Sequence, residues 1–394
     1  MMKIKLKPLL VFCLLLLLTT GVFAQQQENI NITHLPYIQG VTNSSVHIIW
    51  TTNKPATGWV ELAPDDSSHF YHTARPKFFA TEYGFKKVGT VHQVTLTNLK
   101  PGTVYRYRVY SQEVLKHVGV QVEYGKIVAT NVYKEKPLSF RTLGSSSRTQ
   151  FAVVNDIHGR NEVLNKLLDL SDLPKQDFIV FNGDMVDNLL SENQMFAGFM
   201  DTAIKRFASE KPMFYSRGNH ETRGPFAIEY PRYFQTPTGK LYYQFNHGET
   251  GVIVLDCGED KPDTDMEYSG IVDMDRYRTE QAEWLERAVE NTEFKNAKYK
   301  VVICHMPPFG GWHGEQEILD KFVPILNRAG VQVMLSGHLH QHIIKPATAE
   351  IKFPIIVNSN NNVLKVDLTS VKGTFQVVDQ QGKMVDEVVI KPLH

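Results

Sequence analysis

The first third of the chain carries apolar residues at alternate positions, which is the pattern of half-buried β-strands. Val46, Ile48 and Trp50 lie two residues apart, so their side chains share one face of a strand. The same β character returns at residues 59–62 and 91–96. This part of the chain is therefore predicted to be all β.

The pattern changes after residues 143–149, a small and polar segment that predicts a linker. Continuous apolar runs, typical of strands buried on both faces, then alternate with segments of helical spacing. Strands are predicted at residues 150–154, 178–181, 212–215, 252–255, 301–303 and 331–335. Helices are predicted at residues 161–170, 194–207 and 317–326, and from an N-cap at Thr279. This alternation indicates a layered α/β domain, and residues 355–390 return to β.

Composition excludes several classes of protein. The 394 residues carry a formal net charge of zero and no basic tract, so no nucleic-acid partner is expected. Cys257 and Cys304 end predicted core strands, and we expect two buried free thiols rather than a disulfide framework. The acidic segment 258–269 has no apolar period, which favours a solvated loop over a cation-binding role.

Residues 1–24 have the organisation of a signal peptide. Lys3, Lys5 and Lys7 precede an apolar run, and a small-residue cleavage site comes before Gln25. The alternative is a membrane anchor, but the apolar stretch of about 17 residues is short for a span of about 20. We therefore expect a secreted or periplasmic protein with no stable membrane span after cleavage.

Five polar clusters each follow an apolar run and offer oxygen or nitrogen ligands. They are Asp156-Ile157-His158, Gly183-Asp184-Met185-Val186-Asp187, Gly218-Asn219-His220-Glu221, Cys304-His305 and Gly337-His338-Leu339-His340. Ligands bind beyond the carboxyl ends of strands in open α/β sheets, and the clusters lie at such ends. The alternative is a set of polar loop residues without a metal.

The five clusters resemble, in order and spacing, the motifs of calcineurin-like metallophosphoesterases, a family that includes purple acid phosphatases, serine/threonine phosphatases and phosphodiesterases. Trp50 and residues 99–109, a Pro-Gly turn followed by a Tyr-led strand, resemble a fibronectin type III domain and the N-terminal domain of purple acid phosphatases. The resemblance implies an immunoglobulin/fibronectin-like sandwich at residues 31–143. It implies a four-layer α/β/β/α metallophosphoesterase domain with a C-terminal β extension at residues 150–394.

The resemblance also implies a centre of two metal ions. Asp156, His158, Asp184 and His340 would hold the first ion. Asp184 would bridge to the second ion, which Asn219, His305 and His338 would complete. Carboxylates and imidazoles suit iron, manganese or zinc, and the sequence does not choose among them.

Two further residues are expected to act in catalysis. His220 would stabilise or protonate the leaving oxygen, and Asp187 would orient His220, as the matching Asp does in serine/threonine phosphatases. Purple acid phosphatases typically have a Tyr in place of Asp187, and their first motif typically lacks the His found here as His158. The departure favours a site without the purple phenolate–iron colour.

Three residues near the motifs are candidates for substrate binding. Arg217 and Arg223 flank the third cluster and could each clamp a phosphate oxygen, or could each form a surface ion pair. His313, with Trp312 before it, follows the Gly/Pro loop at residues 307–311, and the pair could line the substrate pocket or could belong to a mobile loop.

These features predict a phosphoesterase that hydrolyses small-molecule phosphate esters through a metal-bound hydroxide, with acid-phosphatase-like monoesters as substrates. A phosphodiesterase or nucleotidase using the same ions is the first alternative. A non-catalytic surface-binding protein is the second, and the complete ligand set argues against it. The signal peptide and neutral charge argue against a repair nuclease.

Overall fold

The computed structural model describes residues 28–393, so the predicted signal peptide lies outside the described residues. Within this range no helix combines the length and apolarity that a bilayer crossing needs. Cys257 and Cys304 are buried and free, as predicted.

One antiparallel sheet contains the alternating strands of the N-terminal part. Its strands are β1 (Ile32–Gln39), β2 (Val46–Pro64), β3 (Lys77–Phe79), β6 (Val88–Leu96), β7 (Val104–Val118), β8 (Gln121–Ala129) and β9 (Leu138–Arg141), with β4 (Thr81–Glu82) and β5 (Phe85–Lys86) as a separate hairpin. The long strand β2 pairs with β6 in its first half and with β7 in its second, across a register shift between Thr51 and Ala56. This shift lets β2 pair with strands in both halves of the sandwich.

Two contacts in this N-terminal part are typical of a fibronectin-like sandwich. The fully buried ring of Trp50 donates from Nε1 to Ser111 Oγ at 2.8 Å. The hydroxyl of Tyr105 accepts the Lys100 N–H at 2.9 Å, which fixes the Pro-Gly turn against the next strand. This is the tyrosine corner that the sequence predicts.

Two six-stranded sheets form the rest of the molecule. One has the order β12-β11-β10-β19-β20-β21 and the other the order β13-β14-β15-β16-β18-β17. The strands are β10 (Arg148–Val154), β11 (Phe178–Asn182), β12 (Met213–Ser216), β13 (Tyr243–His247), β14 (Thr250–Val254), β15 (Tyr299–Ile303), β16 (Val333–Ser336), β17 (Ile343–Lys345), β18 (Ile355–Val357), β19 (Asn362–Thr369), β20 (Gly373–Asp379) and β21 (Met384–Ile390). Neighbours β10, β11 and β12 run parallel, as do β14, β15, β16 and β18.

Helices cover the outer faces of both sheets. They are α1 (Asn161–Leu170), α2 (Glu192–Met195), α3 (Asp201–Ala203), α4 (Met274–Ala288), α5 (Thr292–Lys295), α6 (His313–Lys321) and α7 (Val323–Arg328). Phe178 and Phe245 stack edge to face with centroids 5.4 Å apart, so the inner faces of the two sheets share one core. The result is the four-layer α/β/β/α arrangement that the sequence predicts.

Two predicted helix starts are wrong, and side-chain capping explains both, by a residue outside the helix in one case and inside it in the other. Helix α4 begins at Met274, five residues before the predicted N-cap Thr279, because the Asp263 carboxylate accepts the N–H groups of Met274 and Asp275 at 2.8 and 3.1 Å. Helix α6 begins four residues before the predicted position, where Glu315 accepts the Trp312 N–H at 2.9 Å. Caps of this kind satisfy the first free N–H groups of a helix.

The helical segment predicted at residues 194–207 is present but irregular. Helices α2 and α3 alternate with π-helical turns at Phe196–Met200 and Ile204–Ala208. Its apolar side packs with α1 against β11, through residues such as Phe199 and Phe181, whose centroids are 5.9 Å apart.

Candidate metal centre

The five polar clusters meet at one edge of the paired sheets. Asp156 and His158 follow β10, and Asp184 follows β11. Asn219 and His220 follow β12, His305 follows β15, and His338 and His340 follow β16. The carboxyl ends of parallel strands share an edge, and the two sheets lie face to face. All the predicted site residues on these loops therefore come together.

Strained backbone marks this edge. Asp156, His158, Asp184, His338 and His340 all have positive φ, between 50° and 71°, and they are half of the ten non-glycine residues with this conformation in the described chain. The loops fix one another, because the N–H groups of Asp156 and His158 donate to the carbonyls of Gly183 and Asp184 at 2.9 and 3.0 Å. Clustered strain of this kind is characteristic of functional sites.

The first group of ligand atoms belongs to Asp156, His158 and His340. Nε2 of His340 lies 3.3 Å from Asp156 Oδ1 and 3.1 Å from Nε2 of His158. Asp156 is fully buried, and its Oδ1 makes no hydrogen bond in the described structure. A buried carboxylate oxygen without a donor, facing two imidazole nitrogens, fits a metal ion.

The second group of ligand atoms belongs to Asp184, His305 and His338, and the amide of Asn219 lies beside it. Nε2 of His305 lies 2.9 Å from Asp184 Oδ2 without a hydrogen bond, and Nδ1 of His338 lies 3.1 Å from Asn219 Oδ1. The carbonyl of Asn182 can only accept, so its 2.6 Å contact shows that His305 donates from Nδ1 and turns Nε2 towards the centre. Such a backbone contact is typical of a metal-binding histidine.

Asp184 lies between the two groups. Its Oδ1 accepts the His220 N–H at 3.0 Å, while Oδ2 faces His305. Nε2 of His305 is 3.9 Å from Asp156 Oδ1, which joins the groups into one cluster. A carboxylate in this position has the geometry to serve two ions.

Charge at the centre favours a cation. Burial lowers the pKa of His305, but the carboxylates of Asp184 and Asp156 outweigh burial and raise that pKa to about 10. Burial raises the pKa of Asp184, and the imidazoles of His305 and His220 outweigh it, so the carboxyl stays ionised. The two carboxylates thus draw positive charge to this point, which is what a metal ion supplies. Burial and His305 lower the pKa of His338 to about 4, so its ring is neutral at pH 7.

The structure gives Asp187 a different contact from the one expected. Its carboxylate Oδ1 lies 2.7 Å from Nδ1 of His158, whereas its main-chain carbonyl accepts from Nδ1 of His220 at 2.8 Å. The added imidazole of the first motif and the carboxylate of the second therefore form a pair. His220 is held by the backbone, which sequence alone does not reveal.

Comparison with known proteins agrees with this geometry. The sequence model described as calcineurin-like phosphoesterase matches residues 149–342, and the model described as purple acid phosphatase, N-terminal domain, matches residues 32–124. The chain belongs to the calcineurin-like phosphoesterases. This is a family of metal-dependent phosphoester hydrolases, and the paired match shows its purple-acid-phosphatase-like architecture.

Similar proteins support this assignment. Probable purple acid phosphatase 20 of Arabidopsis thaliana is 24% identical over 321 residues, which cover 74% of this chain and 66% of that protein. Purple acid phosphatase 18 of the same plant is 21% identical and is covered to 68%. The chain thus spans about two thirds of the length of these relatives. The structure of purple acid phosphatase PPD1 from yellow lupin (Lupinus luteus) seeds superposes with a TM-score of 0.66 at 14% identity, covering 90% of this chain and 74% of the lupin chain, and shows the same fold.

Glu221 is a residue of this phosphoesterase site to which the sequence assigned no role. Its carboxylate is fully buried and accepts the N–H groups of Asp184, Met185 and Gly218 at 2.9, 2.6 and 2.9 Å, together with the Tyr215 hydroxyl at 3.0 Å. It therefore ties the loop after β11 to the loop after β12. Its position directly after Asn219-His220 is the sequence signal that could have indicated a role for Glu221.

Two asparagines around Asp156 were also missed. Asn155 donates from Nδ2 to Asp156 Oδ2 at 2.6 Å and to the Asn358 carbonyl at 2.9 Å, and Asn358 donates to Asn155 Oδ1 at 2.8 Å. The His338 N–H donates to the same Asp156 Oδ2 at 3.0 Å. One oxygen of Asp156 is thus satisfied by protein, which leaves Oδ1 available to a metal ion. Asn358 is 203 residues away, so only the fold reveals it.

The structure places the three candidate substrate residues in ion pairs. Arg217 is buried against Asp256 at 3.0 Å. Arg223 lies 3.1 Å from Glu259 and 3.2 Å from Asp260. The acidic segment 258–269 is therefore not simply a solvated loop, because Glu259 is fully buried.

His313, the third candidate, lies 2.8 Å from Asp275 in a cluster that also contains Glu317. Arg278 is fully buried in the same cluster, within 2.6 Å of Asp275 and 3.8 Å of Glu317. Lys321 also pairs with Glu317. These two cations neutralise the acidic side chains of this group.

Proposed function

We propose that this phosphoesterase hydrolyses phosphate monoesters at a centre of two metal ions. The observation that carries the proposal is the convergence of seven predicted ligand side chains around two buried atoms without hydrogen bonds, Asp156 Oδ1 and His305 Nε2. Asp156, His158, Asp184 and His340 would hold one ion. Asp184, Asn219, His305 and His338 would hold the other.

The two ions, when bound, would neutralise charge on the phosphoryl oxygens and lower the pKa of the attacking water. The neutral amide of Asn219 leaves its ion more Lewis acidic than a carboxylate would. Asp187 fixes His158 through its carboxylate and His220 through its carbonyl. These contacts support a role for Asp187 in positioning both rings.

His220 would give a proton to the leaving oxygen. Its Nδ1 donates to the Asp187 carbonyl, so Nε2 is free to face the substrate, and that atom lies 3.9 Å from Asp184 Oδ2. Because Nδ1 already holds one proton in this contact, Nε2 carries a proton only in the imidazolium, which is the form that an acid catalyst needs.

We also propose iron, manganese or zinc as the ions, and residues 31–143 and 150–394 as the two domains. We propose as well that the protein is secreted after cleavage near residue 24. Coordination by carboxylate, amide and imidazole suits any of these three metals.

A substrate panel tests the proposed reaction. The full chain, with its metals quantified, should release phosphate from alkyl and aryl monoesters at least tenfold faster than it cleaves the matching diesters. A preference for diesters would overturn the monoesterase assignment.

One loop offers a matched pair of variants. His340→Ala should lose metal and activity, because its Nε2 faces Asp156. His342→Ala should keep both, since its ring contacts the Val357 carbonyl and Asp386 instead. Equal effects of the two variants would contradict the assigned ligand.

A further inference from the structure

A cavity lies beside the candidate metal centre. It has a volume of about 530 Å³ and is lined by the loop after β15, the first turns of α6 and the loop after β17. These segments adjoin the loops that carry His305 and the pair His338 and His340. A larger cavity of about 850 Å³ is lined by residues 42–44, 244–246 and 296–298, among others, none of them on the loops that carry the candidate ligands.

Glu315 connects the smaller cavity to the centre. It lines the cavity, and its Oε1 lies 3.8 Å from Nε2 of His338. The side chain is buried, with Oε1 lacking a hydrogen bond and Oε2 accepting the Trp312 N–H at 2.9 Å. A Cβ on Gly310 would come within 2.4 Å of this carboxylate, so glycine there lets the loop close around Glu315. The cavity thus begins one side chain away from a candidate ligand.

The lining of the cavity is largely apolar and aromatic. Lys345 Nζ lies 3.9 Å from the ring centroid of Phe309, so an ammonium already covers a face of that ring. Trp312 is 48% exposed although it lies in a concave site, and Leu319 and Ile351 add aliphatic surface. An exposed indole in a concave apolar site is a typical platform for a planar group.

We infer that this cavity binds an aromatic organic group of the phosphate ester, stacked against Trp312. The inference rests on the proposed phosphoesterase function and names the class of ester that the site prefers. The hydrogen bond to Glu315 comes from the main-chain N–H of Trp312, so removal of the indole leaves that hydrogen bond in place. The variant Trp312→Ala therefore probes the stacking surface alone.

The test compares an aromatic with an aliphatic monoester. For 1-naphthyl phosphate, Trp312→Ala should raise KM roughly three- to tenfold with little change in kcat, the effect of one lost aromatic pair. For glycerol phosphate both constants should stay within about twofold. Trp312→Phe should restore most of the affinity. Tyr83→Ala, which removes a 94% exposed ring from the N-terminal part, is the control.

Equal losses on both esters, or no loss on the aromatic one, would overturn the inference. A direct binding measurement separates this result from failure of the proposed function. Phenylphosphonate should bind the metal-loaded wild type more tightly than methylphosphonate does, and Trp312→Ala should remove the difference. If the wild type hydrolysed neither ester, the proposed function would fail, while this binding difference would still support the cavity. Equal binding of the two phosphonates would overturn the inference.

Discussion

The ring of His220 is oriented by the protein backbone. Nδ1 donates to the Asp187 carbonyl at 2.8 Å, and Nε2 points towards Asp184. A carbonyl oxygen can only accept a hydrogen bond, so Nδ1 must carry the proton of this contact. Nε2 is therefore the nitrogen that is left to face the centre. This orientation suits the acid role proposed for His220, which does not require it to be a metal ligand.

Replacement of His220 by Ala should separate acid catalysis from metal binding. The variant should keep both metals but lose roughly 10²–10⁴ in kcat on esters with poor leaving groups, which is the usual range for lost general acid catalysis. Nitrophenyl phosphate should suffer less than alkyl phosphates, since its leaving group needs little protonation. Steady-state rates on both esters provide the measurement, and equal losses would rule out the leaving-group role.

The convergence of the candidate ligands is the part of the site that the sequence predicts best. Asp156, Asp184 and His305 were named from the family resemblance, and they come together because each follows a strand whose position is clear from its apolar run. The partners of these residues were less predictable. The contact of Asp187 with His158 and the contact of Asn358 with Asn155 depend on how separate loops approach one another.

At the scale of elements, Glu221 holds two loops together. Its two oxygens accept three main-chain N–H groups from the loops after β11 and β12, and one hydroxyl. These loops carry Asp184 and Asn219, so their spacing depends on this one carboxylate. Buried hydrogen bonds to a charged group are among the more stabilising ones.

Replacement of Glu221 by Gln should therefore destabilise the protein by about 3 kcal/mol, because an amide NH₂ would face N–H donors. Metal content should fall with it. Thermal unfolding and elemental analysis measure the two effects. Glu283→Gln, on the exposed face of α4, is the matched control and should change neither. An unchanged unfolding temperature for Glu221→Gln would contradict the role of Glu221 in joining the loops.

Element boundaries show where sequence reasoning fails. Helix α1 was predicted with the correct bounds because its apolar spacing is local. Helix α4 was predicted five residues short, because its cap is the distant Asp263 and not Thr279. Local propensity cannot supply a cap that arrives from a separate loop.

At the scale of the whole molecule, strands of the N-terminal sheet contact the segments that follow β11 and β12. The Tyr37 hydroxyl donates to the Tyr233 carbonyl at 3.0 Å, and the Tyr107 hydroxyl donates to the Ser209 carbonyl at 2.7 Å. The two hydroxyls are buried, so each hydrogen bond takes the place of one that the hydroxyl would make to water. We therefore expect the parts to stabilise one another.

A buried histidine makes this stability depend on pH. Burial lowers the pKa of His92 from 6.5 to about 4, and its ring stacks on Trp50 with centroids 5.0 Å apart. The unfolded chain takes up the proton first as pH falls. The stabilising contribution is therefore present above pH 6.5 and is lost on the way down to pH 4, by about 3 kcal/mol at most.

Replacement of His92 by Gln should flatten this dependence. The free energy of unfolding, measured by denaturant titration at several pH values, should fall less steeply between pH 6.5 and 4 in the variant than in the wild type. His72→Gln, on the exposed surface, should keep the wild-type slope. Identical slopes for His92→Gln and the wild type would contradict the assignment.

The central claim is that one buried carboxylate serves two ions in a working phosphomonoesterase. The direct measurement is elemental analysis of wild type and Asp184→Asn, with phosphate release from a monoester assayed on the same samples. We predict two metals per chain and turnover in the wild type, and loss of turnover with reduced metal at both positions in Asp184→Asn. A variant that kept two metals per chain, or a wild type whose turnover survived complete metal removal, would contradict the account.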